Sequence, residues 1–185
     1  MFVRSCSQNA KPLFGNPRPN EENDFDFTVS TARGDAYLEL MEVAPLAAFG
    51  GSYEDAAAIH KAGELASSIS KEIFRKSKRY RSKRELFLLL YITHWSFALG
   101  QATIQLLRYK LKKQRHVFSA VFYLAPLDGE VGVIEWLYPV PPSFLFNFKP
   151  EEHENAFTLN LDYQKWQITR GDGSSAQSPP SDQKS

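Results

Sequence analysis

A single cysteine, Cys6, in 185 residues rules out an internal disulfide, and with only four scattered histidines the chain lacks the ligand spacing of a zinc site. Long apolar runs are missing as well. The longest, Leu86 to Ile92, falls far short of the roughly 20 residues a membrane-spanning helix needs. Arg4, Asn9 and Lys11 interrupt the first fifteen residues, so no apolar stretch of signal-peptide length forms there. These absences predict a cytoplasmic protein with no membrane partner. Neither sign of charge dominates, with 22 Lys+Arg against 21 Asp+Glu. Gly50-Gly51 is not followed by the Lys-Ser/Thr of a nucleotide-binding loop, and no Gly-x-Ser-x-Gly elbow offers a serine nucleophile.

What is present suits one globular unit: 43% hydrophobic and 23% charged residues over a length that can bury a stable core. Residues 1–23 carry Pro12, Pro17, Pro19, Gly15 and four Asn without periodicity, and read as an irregular arm. Residues 167–185, rich in Gly, Ser and Pro, have too little apolar surface to offset the entropy of ordering, and read as a disordered tail. The domain between them spans 24–166. It opens with strict alternation in DFDFTVS (residues 24–30), a strand. Thr31 to Gly34 supply a turn, and YLELMEV (residues 37–43) is a second strand. Ser52 with Asp55 suggests a capping box, and Ile59, Ala62, Leu65, Ile69 and Ile73 form a helical stripe running to about Lys76. Leu86 to Thr93 reads as a buried central strand, 100–114 as a second helix, and 117–124 with 131–138 as a hairpin turning at Asp128-Gly129. The order predicts an α/β fold, a mixed central sheet with flanking helices.

Glu39 is the residue out of place. It lies mid-strand between Leu38 and Leu40, with Tyr37 and Met41 on its own face. Burying an unpaired ion costs several kcal/mol, so Glu39 is protonated, paired with a base or bound to a cation. If Ser30 pairs with Asp35, Asp26 falls directly opposite Glu39, with Cβ atoms about 5 Å apart. A divalent, oxygen-liganded ion such as Mg²⁺ would reconcile two such carboxylates. The alternative is that one acid caps the turn while the other meets a Lys or Arg.

The run NDFDFTVSTARGDAYLELMEVAPL, followed by a helix and the apolar strand LFLLLYITHW, resembles the core of the PD-(D/E)XK, or restriction-endonuclease-like, superfamily, including a group of bacterial proteins with that core. The resemblance implies a metal-dependent phosphodiesterase or nuclease in which Asp26 and Glu39 hold Mg²⁺. It also implies a lysine two positions after the second acid, where this chain has Met41. Some family members recruit a lysine from the adjacent helix. Of Lys61 and Lys71, Lys61 flanks the apolar stripe and is the expected catalytic residue. A catalytically degenerate domain that binds nucleic acid or protein is the alternative.

Basic charge is concentrated. Residues 71–84 hold eight of the 22 Lys+Arg and residues 108–115 five more. Arg75, Lys76, Lys78, Arg79 and Arg81 are therefore candidate phosphate contacts, with Tyr80 and Tyr109 as candidate stacking rings. Both segments would equally serve as solvated helix ends, where cations are favoured.

Overall fold

A computed structural model describes residues 15, 17–20, 25–53, 59–81, 85–126 and 132–159. In chain order the elements are β1 (Arg18–Pro19), β2 (Phe27–Thr31), β3 (Gly34–Glu42), β4 (Ile59–Lys61), α1 (Ala62–Ser77), β5 (Leu86–Tyr91), α2 (Gln101–Lys113), β6 (Ala120–Pro126), β7 (Gly132–Tyr138), α3 (Pro142–Asn147), α4 (Glu151–Glu154) and β8 (Phe157–Leu159). Short 3₁₀ turns lie at Leu46–Ala48 and Trp95–Phe97. Six strands form one mixed sheet in the order β1-β2-β3-β5-β6-β7, and β4 pairs with β8 in a separate ribbon.

The hairpin follows from its alternation and its turn. Ser30 pairs with Asp35 and Thr31 with Gly34, which leaves Ala32-Arg33 as a two-residue turn. Gly34 has φ 113° there, a conformation that side chains rarely tolerate. β3, β5 and β6 run parallel, joined through α1 and α2. Both helices pack on one sheet face. Leu65, Ile69 and Ile73 of α1 and Leu106, Leu107 and Leu111 of α2 bury against Leu86, Leu88 and Leu90 of β5. The alternate residues Phe87 and Leu89 join Val29, Leu38, Ala120 and Phe122 in a second cluster on the opposite face. β5 is thus buried on both sides, which is why its sequence is uniformly apolar rather than alternating.

Three expectations need correction. The first helix was expected from Ser52 onward, but Ile59–Lys61 is extended and pairs with Phe157–Leu159, so α1 begins at Ala62. Ile59, assigned to the apolar stripe, is 54% exposed, while His60 beside it turns inward at 2%. Alternation over these three residues outweighed a helical reading that depended on one isoleucine. The expected cap residue Asp55 lies outside the described residues. The N-terminal arm is not irregular throughout, because Arg18 and Pro19 extend the sheet beside Thr28 and Phe27. A terminal edge strand accommodates the proline, which has no N–H to donate. The 167–185 tail and the Asp128-Gly129 turn fall outside the described residues. Among the described residues, no helix is long and apolar enough to cross a membrane.

Two histidines, the buried His60 and the half-buried His116, bear on stability. Burial lowers the His60 pKa from 6.5, opposed by a backbone hydrogen bond at Ser96. Burial likewise lowers that of His116, which sits among the rings of Phe74, Phe118 and Tyr138. Both groups therefore bind protons less readily in the folded than in the unfolded chain. Their contribution is present in full above the unfolded value of 6.5 and is lost as pH falls below it. Urea denaturation should show stability dropping on acidification from pH 7 to 5, by at most about 1.4 kcal/mol per pH unit for each histidine. His116→Phe, which keeps a ring in the aromatic cage, should flatten that slope. An unchanged slope would show that His116 does not contribute.

Candidate functional site

β3 carries Glu39 to the middle of the sheet on the face that α1 covers. Tyr37 and Met41, its same-face neighbours, pack on the helix-side core. Glu39 is 6% exposed. The last turn of α1 and the residues just beyond it close over the carboxylate. Lys76 Nζ lies 2.6 Å from Glu39 Oε1, and the Tyr80 hydroxyl donates to the same oxygen at 2.6 Å. Lys76 comes from the last turn of α1 and Tyr80 from the residues just past it. Burial, and then the hydrogen bond to Glu39, raises the Tyr80 pKa, which keeps its hydroxyl protonated as a donor. Phe25 stacks on Tyr37 at 4.2 Å and on Tyr80 at 5.2 Å, walling the pair from the β2 side. The second carboxylate oxygen, Glu39 Oε2, is buried without a hydrogen-bond partner.

Asp26 sits one step before β2. Phe27 pairs with Leu38, so the register places Asp26 across from Glu39. Asp26 is exposed, and its Oδ2 accepts a hydrogen bond from the Leu40 backbone N–H at 2.7 Å. The two acids of the sequence pattern therefore lie across from each other in the register, but each already has a partner.

Lys61 is not part of this site. It lies at the start of α1, with Glu64 at 3.9 Å. Lys76 follows it by fifteen residues, about 22 Å along the helix axis, so the Lys61 side chain cannot reach a carboxylate that Lys76 touches. The projection that favoured Lys61 considered the face it flanked and not the helix end that meets β3. Lys76 and Tyr80 are corrected too. Both were expected to turn toward nucleic acid, and both turn inward onto Glu39. Tyr109 packs beside Phe148, with ring centroids 5.6 Å apart. His94 ties its Nδ1 to Ser96 Oγ at 2.7 Å and caps a 3₁₀ turn.

The other basic residues at the end of α1 are exposed: Lys71 and Arg75 within the helix, and Lys78, Arg79 and Arg81 past it. Arg75 is ion-paired with Glu72. Lys71, Arg75, Lys76 and Arg79 form one wall of a groove of about 680 Å³, whose other wall runs from Met41 and Glu42 through the 3₁₀ turn at Leu46–Ala48. The groove lies at the carboxyl end of β3, the end of a parallel strand where α/β sheets commonly receive ligands. Lys71 was passed over in favour of Lys61. It belongs to this wall because residues 71 and 75 are one turn apart on one helix face, with Arg79 following just past the helix end.

Sequence reasoning missed a second carboxylate cluster on the opposite wall. Tyr53 donates to Glu42 Oε1 at 2.6 Å, Thr93 donates to the same oxygen, and the two hydroxyls lie 3.2 Å apart. The bond from Thr93, then that from Tyr53, lowers the Glu42 pKa and keeps it ionised. The hydroxyls come from separate loops, so no local spacing announced them.

The residues present do not fit a divalent ion as they stand. Lys76 already supplies the positive charge that Glu39 requires, and Asp26 spends one oxygen on the backbone of β3. Among the described residues, no group of three or more His, Cys, Asp or Glu is placed to hold a metal. No family model matches the chain, and no curated protein or solved structure matches it either.

Proposed function

We propose that the chain is a restriction-endonuclease-like domain that binds the phosphate backbone of nucleic acid without hydrolysing it. The observation that carries this reading is the groove wall of Lys71, Arg75, Lys76 and Arg79, beside the carboxyl end of β3. Lys71 and Arg75 in the last turns of α1, with Arg79 just past its end, are exposed and present positive charge to a polyanion, Arg75 beside its partner Glu72, and a concave surface concentrates their field. Phosphate contacts of this kind give affinity without sequence information. The Glu39–Lys76 ion pair supports the non-catalytic part of the reading. It occupies the acid that would hold Mg²⁺, while Met41 supplies no ammonium to a developing charge.

Fluorescence anisotropy with labelled single-stranded oligonucleotides tests this. Binding should weaken with salt, with log K falling by about 0.7 per phosphate neutralised on a single strand. Lys71→Ala and Arg79→Ala should each lower the slope by about that amount. Binding should survive chelation of divalent ions and Asp26→Ala. Cleavage in Mg²⁺ or Mn²⁺ that disappears in Asp26→Ala would overturn the non-catalytic reading. Absence of salt-sensitive binding would overturn both.

A further inference from the structure

We infer that Lys76 is a phosphate contact withheld by Glu39, so that the charge of a buried acid outside the groove sets how many phosphates the groove engages. This rests on the nucleic-acid reading above and adds a control to it. Lys76 borders the groove together with Lys71, Arg75 and Arg79, whereas Glu39 is not among the residues that line it. The Lys76 ammonium nevertheless lies 2.6 Å from Glu39 Oε1. One side chain therefore borders one site and places its charge in another.

The position of Lys76 on α1 shows how it can serve both. Projected at about 100° per residue, Ser68, Lys71, Glu72 and Arg75 lie on the groove side of the helix, and Ile69 and Ile73 point into the core. Lys76 falls between Glu72 and Ile69, at the seam of the two arcs. Its ammonium is carried on a flexible four-carbon stem, and the side chain is 19% exposed, so it is not sealed in the core.

The groove has a use for that charge. Arg75 is ion-paired with Glu72 on the same wall, while Lys71 and Arg79 enter no ion pair among the described residues. The wall thus offers two uncommitted cations, and Lys76 would be a third. Glu39 wins the competition in the wild-type chain. Stripping a buried carboxylate of its counter-charge costs more than one solvent-exposed phosphate contact returns. Neutralising Glu39 removes that cost and frees the ammonium for the wall. Tyr80, which donates to Glu39 Oε1, keeps an acceptor if a glutamine stands there.

The experiment measures the salt slope of binding to fluorescein-labelled oligo(dT) by anisotropy, on the full chain. Glu39→Gln should steepen the slope of log K against log salt by about 0.7, one further phosphate on a single strand. At about 0.1 M salt this corresponds to roughly fivefold tighter binding, a gain that vanishes near about 1 M. Adding Lys76→Met to Glu39→Gln should return the slope to the wild-type value. Both variants lack the carboxylate, so the comparison separates a new contact from the loss of a negative charge. Tyr80→Phe removes a hydrogen bond from Glu39 but leaves its charge, and should keep the wild-type slope. A Glu39→Gln slope equal to wild type would overturn the inference and leave backbone binding by Lys71 and Arg79 intact. A rise that survives Lys76→Met would also overturn it, by assigning the gain to the lost charge. An equal rise in Tyr80→Phe would do the same, by assigning it to a loosened helix end. Failure of the wild type and Glu39→Gln alike to bind would overturn the underlying reading instead.

Discussion

Lys76→Met should destabilise the fold by about 3 kcal/mol, near the lower end of what breaking one side of a buried ion pair costs. The side chains of Lys76 and Glu39 are 19% and 8% exposed, so solvent screens the pair little. Removing the ammonium leaves a carboxylate among Tyr37, Met41 and the core side of α1, with the Tyr80 hydroxyl as its remaining partner at Oε1. One hydrogen bond to a charged group contributes on the order of 1.5–3 kcal/mol, less than the several kcal/mol that an unpaired buried ion costs. The loss comes from the stranded ion and not from a cavity, since methionine nearly matches the volume of lysine. Adding Glu39→Gln removes the charge while keeping an acceptor for Tyr80, and should recover more than half of the deficit in urea denaturation. If Lys76→Met is as stable as wild type, the ion pair does not neutralise Glu39 and the non-catalytic reading loses its main support.

The same residues show how much of the molecule could be read from its sequence. Period-two alternation gave the β2–β3 register, and with it the juxtaposition of Asp26 and Glu39, because strand registry depends on local pattern and turn length. The partner of Glu39 was harder to find, although the signal was there. Ile69, Ile73 and Lys76 recur at spacings of four and three, so Lys76 continues the apolar stripe of α1, and Tyr80 follows just past the helix end. A lysine inside such a stripe predicts a buried acid opposite it. Surrounded by seven other cations between residues 71 and 84, it read as one more solvated charge. The Glu42 cluster gave no such signal. Tyr53 follows Gly51 and Ser52 in one loop and Thr93 follows β5 in another, and only the parallel pairing of β3 with β5, which sets Glu42 beside Tyr91, brings them together. The start of α1 was misread for a related reason. Whether Ile59 to Lys61 is helical or extended depends on β8, nearly a hundred residues away, and not on local propensity.

A divalent cation should restore to Lys76→Met part of the stability that the substitution removes. The pocket around Glu39 demands positive charge, and in the wild-type chain an internal ammonium provides it. Deleting that ammonium opens Glu39 Oε1, while Oε2 already lacks a partner and Asp26 lies across the strand at the next register position. One or two carboxylates with water are enough to hold a small hard cation weakly. Mn²⁺ is therefore expected to bind Lys76→Met and not the wild type in a calorimetric titration. At tenfold excess over its dissociation constant, it should return about 1.4 kcal/mol of stability by mass action. Glu39→Gln in the Lys76→Met background should abolish both effects, and Asp26→Ala should weaken them. Na⁺ at matched ionic strength controls for screening, because one surface-like charge responds to any salt and a two-carboxylate site prefers the divalent ion. Equal response to Mn²⁺ and Na⁺ would mean that Asp26 and Glu39 do not act together. Selective rescue would show that a single lysine separates this domain from one that holds a metal at the same place.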